Sequence, residues 1–60
     1  MKWSELIRLA EQHGWRLHRH GKKHDIYTKE GRTDQMQVGR HESEEIKPGL
    51  MNKLLKQIED

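Results

Sequence analysis

Sixty residues, of which 30% are apolar and 37% charged, leave room for one small domain spanning residues 1–60. Such a chain buries only about 60% of the surface it exposes when unfolded, so it cannot build both a core and a deep pocket, and no cofactor is expected. It has no cysteine for disulfides or thiolate-bound zinc and no apolar run near the ~18 residues of a membrane span. Lys2 leads straight into an amphipathic stretch rather than a signal-peptide core, which makes a cytoplasmic protein without membrane contact the expectation.

Trp3, Leu6, Ile7, Ala10 and His13 recur at spacings of three and four, one stripe of a helix over roughly residues 3–13. Ser4 or a near neighbour caps it, Glu5 suits its first turn, and Gly14 suits the left-handed position after its end. His13 is expected to pack at that end. From Trp15 to His20 the pattern alternates, with Trp15 and Leu17 to one side and Arg16, His18 and His20 to the other. Gly21-Lys22 makes a turn, and Lys23 to Thr28 reads as a second strand whose inward face is ambiguous, because Ile26 and Tyr27 are neighbours. Lys29 to Arg32 is a hairpin turn with Gly31 free to adopt positive φ, and Thr33 to Val38 is a third strand with Met36 and Val38 on one face.

Gly39 to Glu45 is a polar loop. Pro48 then suits the first position of a helix with Lys47 as N-cap, and Ile46 and Met51 have the spacing of a hydrophobic staple. Leu50, Met51, Leu54, Leu55 and Ile58 make its apolar stripe. The order is α-β-β-β-α. Short connections favour a three-stranded antiparallel sheet with both helices on one face, an α+β fold. Trp3 and Trp15 fall within apolar stripes and are assigned to the core rather than to base stacking.

The net charge is only +2, but it is unevenly spread. Between Arg16 and His41 seven cations (Arg16, Arg19, Lys22, Lys23, Lys29, Arg32, Arg40) face three carboxylates (Asp25, Glu30, Asp34). Four of the five histidines lie in the same stretch, and acids gather at Glu42, Glu44, Glu45, Glu59 and Asp60. A basic middle with acidic flanks suits an anionic partner such as nucleic acid; the plainer reading is a solvated sheet face. A zinc site from His18, His20, His24 and His41 lacks a supporting carboxylate, since Asp25 alternates to the face opposite His24. A nucleophilic triad fares worse, because Ser4 and Ser43 sit in a cap and a loop. No metal site is assigned.

The opening MKWSELIRLAEQHGW resembles the start of HicA toxins (YcfA-like mRNA interferases). Gly21-Lys-Lys-His24 occupies the place of that family's Gly-x-x-His signature, and GRHESEEIKPGLMNKLLKQI resembles its ending. The likeness runs along nearly the whole chain in the correct order. It implies a double-stranded-RNA-binding-domain-like fold, a toxin that cleaves RNA and halts translation, and restraint by a HicB antitoxin. The family's catalytic histidine falls on His24. Two departures stand out. Lys22 replaces the usual Ser, which alters how the site meets phosphate, and Gly39 replaces the usual Pro before Arg40-His41, which loosens a loop.

The chemistry of such a site is economical. RNA carries its own nucleophile, the 2′-hydroxyl, so cleavage needs a base that is partly neutral at pH 7 and cations to offset transition-state charge. His24 is the general base on this reading. Lys22 and Lys23 supply the positive field, and Arg16, Arg19 and Arg40 bind RNA. His18 and His20 at most touch RNA, and His41 has a structural or antitoxin-contact role. The rivals are a non-catalytic RNA-binding module of the same fold, which reads A-form shape and tolerates loss of His24, and a protein-interaction domain using Glu42–Glu45 and the last helix.

Overall fold

The computed structural model describes residues 1–41 and 43–59; Glu42 and Asp60, counted above among the acidic flanks, lie outside the described residues. The elements are α1 (Trp3–Gln12), β1 (Trp15–His20), β2 (His24–Lys29), β3 (Met36–Gly39) and α2 (Pro48–Glu59). The strands form an antiparallel meander in the order β1-β2-β3.

Helix α1 buries Trp3, Leu6 and Ala10. Its start corrects one expectation: Ser4 lies inside the helix, and the N-cap is Lys2, whose side chain makes no capping bond. The backbone compensates, because the Trp3 N–H donates to the Glu44 carbonyl at 3.2 Å and an isolated bridge joins Lys2 to Glu45. His13 is a second correction, being exposed at the helix end rather than packed. Gly14 takes φ +95°, a value that L side chains rarely adopt, and so turns the chain into β1.

Tyr27 faces Met36 and joins the core, while Ile26 is only 6% exposed yet stands outside the core cluster. The two neighbours therefore point to opposite sides of β2, which resolves the ambiguity of that strand. The remaining core is Trp3, Leu6 and Ala10 from α1, Trp15, Met36 and Val38 from the sheet, Ile46, and Leu54 and Ile58 from α2. One cluster that draws on both helices and one side of the sheet leaves the other side open. This is the α+β, double-stranded-RNA-binding-domain-like arrangement expected.

Strand β3 starts at Met36, three residues later than the pattern predicts. The reason is local. Arg32 and Asp34 form a two-bond ion pair, Nε to Oδ1 at 2.8 Å and Nη2 to Oδ2 at 2.9 Å, which folds residues 32–34 into the turn. Gln57 of α2 reaches the same turn, its Nε2 donating to Asp34 Oδ2 and to the Gln35 carbonyl at 3.0 Å each. Arg32 also lies 5.4 Å above the centre of the Trp15 ring, within the range of a cation–π contact. At the start of α2 the Lys47 carbonyl accepts from the Met51 N–H at 2.8 Å, and Ile46 and Met51 pack on the same core. Among the described residues no helix is long and apolar enough to cross a membrane.

Candidate functional site

The geometry of the site begins with a slip in β1. Trp15, Arg16 and Leu17 pair in step with Lys29, Thr28 and Tyr27, but Arg19 pairs with Ile26 and His20 with Asp25. One extra residue, His18, sits opposite no partner, which is a β-bulge. Plain alternation sends Arg19 to the side of Trp15 and Leu17. The bulge reverses it. Arg16 and Arg19 now face the same side as Thr28 and Ile26, and His20 falls on the side of Asp25 and Val38. The expectation that Arg16, His18 and His20 share one face is thereby corrected. Leu17, expected to point inward, remains 45% exposed.

His24 opens β2 and alternates onto the side of Ile26 and Thr28, the side opposite the core cluster, although at that end of the sheet the Trp3 indole reaches its β3 partner Gly39. It is exposed, as are Lys22 and Lys23 in the turn before it and Arg16 and Arg19 on β1. The structure thus brings five of the predicted residues to one open face and its edge. No carboxylate of the three strands shares that face, since Asp25 alternates to the other side of β2.

The turn that presents His24 is tightly closed. The Gly21 N–H donates to the His24 carbonyl at 2.8 Å, and a methyl group on Gly21 would lie 2.5 Å from that oxygen and 3.7 Å from Ile26 Cγ1. Gly21 is therefore required by close approach.

Arg40 behaves differently from the other cations. Its Nε donates to Asp25 Oδ1 at 3.0 Å, and its Nη2 donates to the Gly21 carbonyl. His20 Nδ1 lies 2.8 Å from the same Asp25 oxygen, which places the proton on Nδ1. The bond from His20, helped to a lesser degree by that from Arg40 Nε, holds the Asp25 carboxyl below the ordinary aspartate range, against an opposing effect of desolvation that is smaller than the His20 bond but larger than the Arg40 one. Sequence reasoning missed the Asp25–His20–Arg40 cluster. Its only available signal was the pairing register, and the bulge conceals that. His41 is exposed, and among the described residues no three His, Asp or Glu side chains converge on a point that could hold a metal ion.

Residues 3–59 match the family described as the HicA toxin of bacterial toxin–antitoxin systems. The chain belongs to the HicA toxin family. Membership makes it a toxin component and implies an antitoxin partner. No curated protein and no solved structure matches the chain. Of the two departures from the HicA pattern, Lys22 stands exposed beside His24. Gly39 corrects the expectation of a loosened loop: it ends β3 under the Trp3 indole, where a methyl group would lie 2.8 Å from the ring. Glycine there permits tight packing of α1 on the sheet.

Proposed function

We propose that the chain is the mRNA interferase of a type II toxin–antitoxin pair, acting in the cytoplasm as one RNA-cleaving domain over residues 1–60. It is a metal-independent endoribonuclease with His24 as general base. The observation that carries this reading is the exposed His24 on the side of the sheet opposite the core cluster, flanked by Lys22 and Lys23 and sharing that side with Arg16 and Arg19.

His24 accepts the proton of a 2′-hydroxyl, and the oxygen attacks the adjacent phosphorus. The bond to the 5′-oxygen breaks, leaving a 2′,3′-cyclic phosphate and a 5′-hydroxyl that takes its proton from the imidazolium, a lysine or water. Lys22 and Lys23 offset the charge that develops on the phosphoryl oxygens. A HicB-type antitoxin blocks the activity by covering the basic face and His24. An acidic surface is the simplest complement to that face and steers fast association. Binding also stabilises the small fold, by about 4 kcal/mol at a thousandfold excess over Kd.

The test is cleavage of mRNA in excess EDTA by the purified chain and by His24→Ala. Cleavage by the first and none by the second is expected. Activity lost under chelation and restored by zinc or magnesium overturns the metal-free reaction. RNA binding without cleavage by the unmodified chain returns the non-catalytic RNA-binding module.

A further inference from the structure

Arg40 reads from sequence as one more cation for RNA. Its contacts give it another task. The guanidinium spans two groups at once, Asp25 Oδ1 through Nε at 3.0 Å and the Gly21 carbonyl through Nη2. Gly21 is also held from its other side, by the bond from its N–H to the His24 carbonyl. Asp25 Oδ1 takes a third tie from His20 Nδ1 at 2.8 Å. The end of β1, the start of β2 and the residue after β3 therefore meet on one carboxylate.

These groups lie behind His24. Alternation along β2 puts Asp25 on the core-bearing side and His24 on the open side, so the cluster reaches the imidazole only through the backbone of the turn. Resting on the proposed role of His24 as base, we infer that Arg40 and Asp25 are positioning residues that fix where the His24 imidazole stands, and that Arg40 does not contact phosphate. A guanidinium suits this task because its donors form a rigid planar fork, whereas a lysine offers a single mobile point of charge. The stake is large: a base misplaced by about 1 Å costs on the order of 100-fold in rate.

The experiment measures kcat, KM, melting temperature and the salt dependence of RNA binding for the unmodified chain, Arg40→Lys, Asp25→Asn and His24→Ala. The double variant Lys22→Ala with Lys23→Ala is the reference for lost phosphate contacts, each flattening the slope of log K against log salt by about 0.7. Arg40→Lys and Asp25→Asn should each lower kcat by about 10- to 100-fold while KM and the salt slope stay put. An arginine that bound phosphate gives the opposite pattern. Arg40→Lys then keeps its kcat, and Asp25→Asn frees the guanidinium, lowers KM and steepens the slope; either result overturns the inference.

Should a variant melt below the assay temperature, the unmodified chain decides by NMR. The Arg40 Nε–H signal should exchange slowly and stay unmoved when a 2′-deoxy oligonucleotide that cannot be cleaved is added. A signal that shifts on binding overturns the inference. The two levels separate cleanly. Cleavage retained by His24→Ala removes the general-base reading itself, whereas loss in His24→Ala with undiminished kcat in both other variants removes only the positioning role.

Discussion

At the end of the sheet where β2 turns into β3, Arg32 and Asp34 meet through two bonds of 2.8 and 2.9 Å, two residues apart, with Gln57 of α2 on the same carboxylate. At the opposite end Arg40 reaches Asp25 through one bond of 3.0 Å across 15 residues, and its second donor goes to the backbone of the turn before His24. The same two residue types thus do different things. Arg32 of the first pair lies over Trp15, and Asp34, bonded by Gln57, fastens a helix to the sheet. The second joins three strand ends beside an exposed histidine and two lysines. Stability should reside at the first end and activity at the second, and variants that move one property alone test that division.

The largest effect expected is that of Trp15→Ala. Trp15 is wholly buried under Arg32, and its indole Nε1 has no hydrogen-bond partner among the described residues, so it is held by packing. Truncating such a side chain costs about 3–5 kcal/mol, a large part of the ~5–15 kcal/mol that holds a typical domain together. Urea unfolding followed by circular dichroism should show the cooperative transition displaced to low urea or absent. A midpoint equal to that of the unmodified chain would contradict the assignment of Trp15 to the core.

Two glycines sharpen the contrast next. Gly31 takes φ +85° in the turn at the Arg32 end, with open space around it. Gly31→Ala should cost about 1–2 kcal/mol from the left-handed backbone alone and leave cleavage by the folded fraction unchanged. Gly21→Ala meets the His24 carbonyl at 2.5 Å instead, and backbone cannot yield as a flexible side chain can. Its cost of about 1–3 kcal/mol for overpacking should come with a larger loss of cleavage at saturating RNA than the folded fraction explains. Equal losses of activity for the two variants, each corrected for folding, would erase the distinction between the ends.

The sequence shows the elements and their apolar faces better than the polar clusters at either end of the sheet: the Arg32–Asp34 pair, like the Asp25 cluster, leaves no pattern, and because of it β3 starts three residues later than expected. Both helices, the Gly14 stop and the run of β1 follow from apolar spacing and glycine placement, because burial on one face imposes a period that composition displays. The residues of the open face, His24, Lys22, Lys23, Arg16 and Arg19, were also identifiable as polar positions in a basic stretch. How they come together was not. The bulge at His18 leaves no mark in residue type, yet it decides that Arg19 faces out and that His20 meets Asp25. Arg40 carries a charge like any other until the register brings it to Asp25 and Gly21. Lys2 as N-cap was hidden for a related reason: the loop backbone at Glu44 satisfies the helix start, so no capping side chain was required.

A smaller effect is expected from Gln57→Ala, which removes the two bonds that tie α2 to the turn at Asp34 and Gln35. Hydrogen bonds of this kind contribute about 0.5–1.5 kcal/mol net, so a loss near 1 kcal/mol should appear in the unfolding midpoint. The distance of Gln57 from His24 along the sheet predicts unchanged kcat. A fall in kcat with the fold intact would show that the two ends are coupled through α2.

The smallest effect concerns acid, and it tests whether the ends are independent. Asp34 and Asp25 both lie below the ordinary aspartate value, Asp34 chiefly through the bond from Arg32, Asp25 chiefly through that from His20 and then through Arg40. A carboxyl whose pKa is depressed on folding stabilises the native state above its unfolded value of about 3.9, because below that value the unfolded chain binds the proton more readily. This contribution is lost as pH falls through the folded value. Stability should therefore decline on the acid side of about pH 4, while near neutrality the contribution of both groups is fully present and does not vary with pH. Following the aspartate carboxyl carbons by NMR during an acid titration separates the two. His20→Ala should raise the midpoint of Asp25 and leave Asp34 where it is, while Arg32→Ala should do the reverse. Arg40→Lys should move Asp25 by less than His20→Ala does, because the histidine bond is the larger cause. A shift of both carboxyls in any one variant would mean that the pairs share a network through the sheet, and that the strand ends at His24 feel the turn at Arg32.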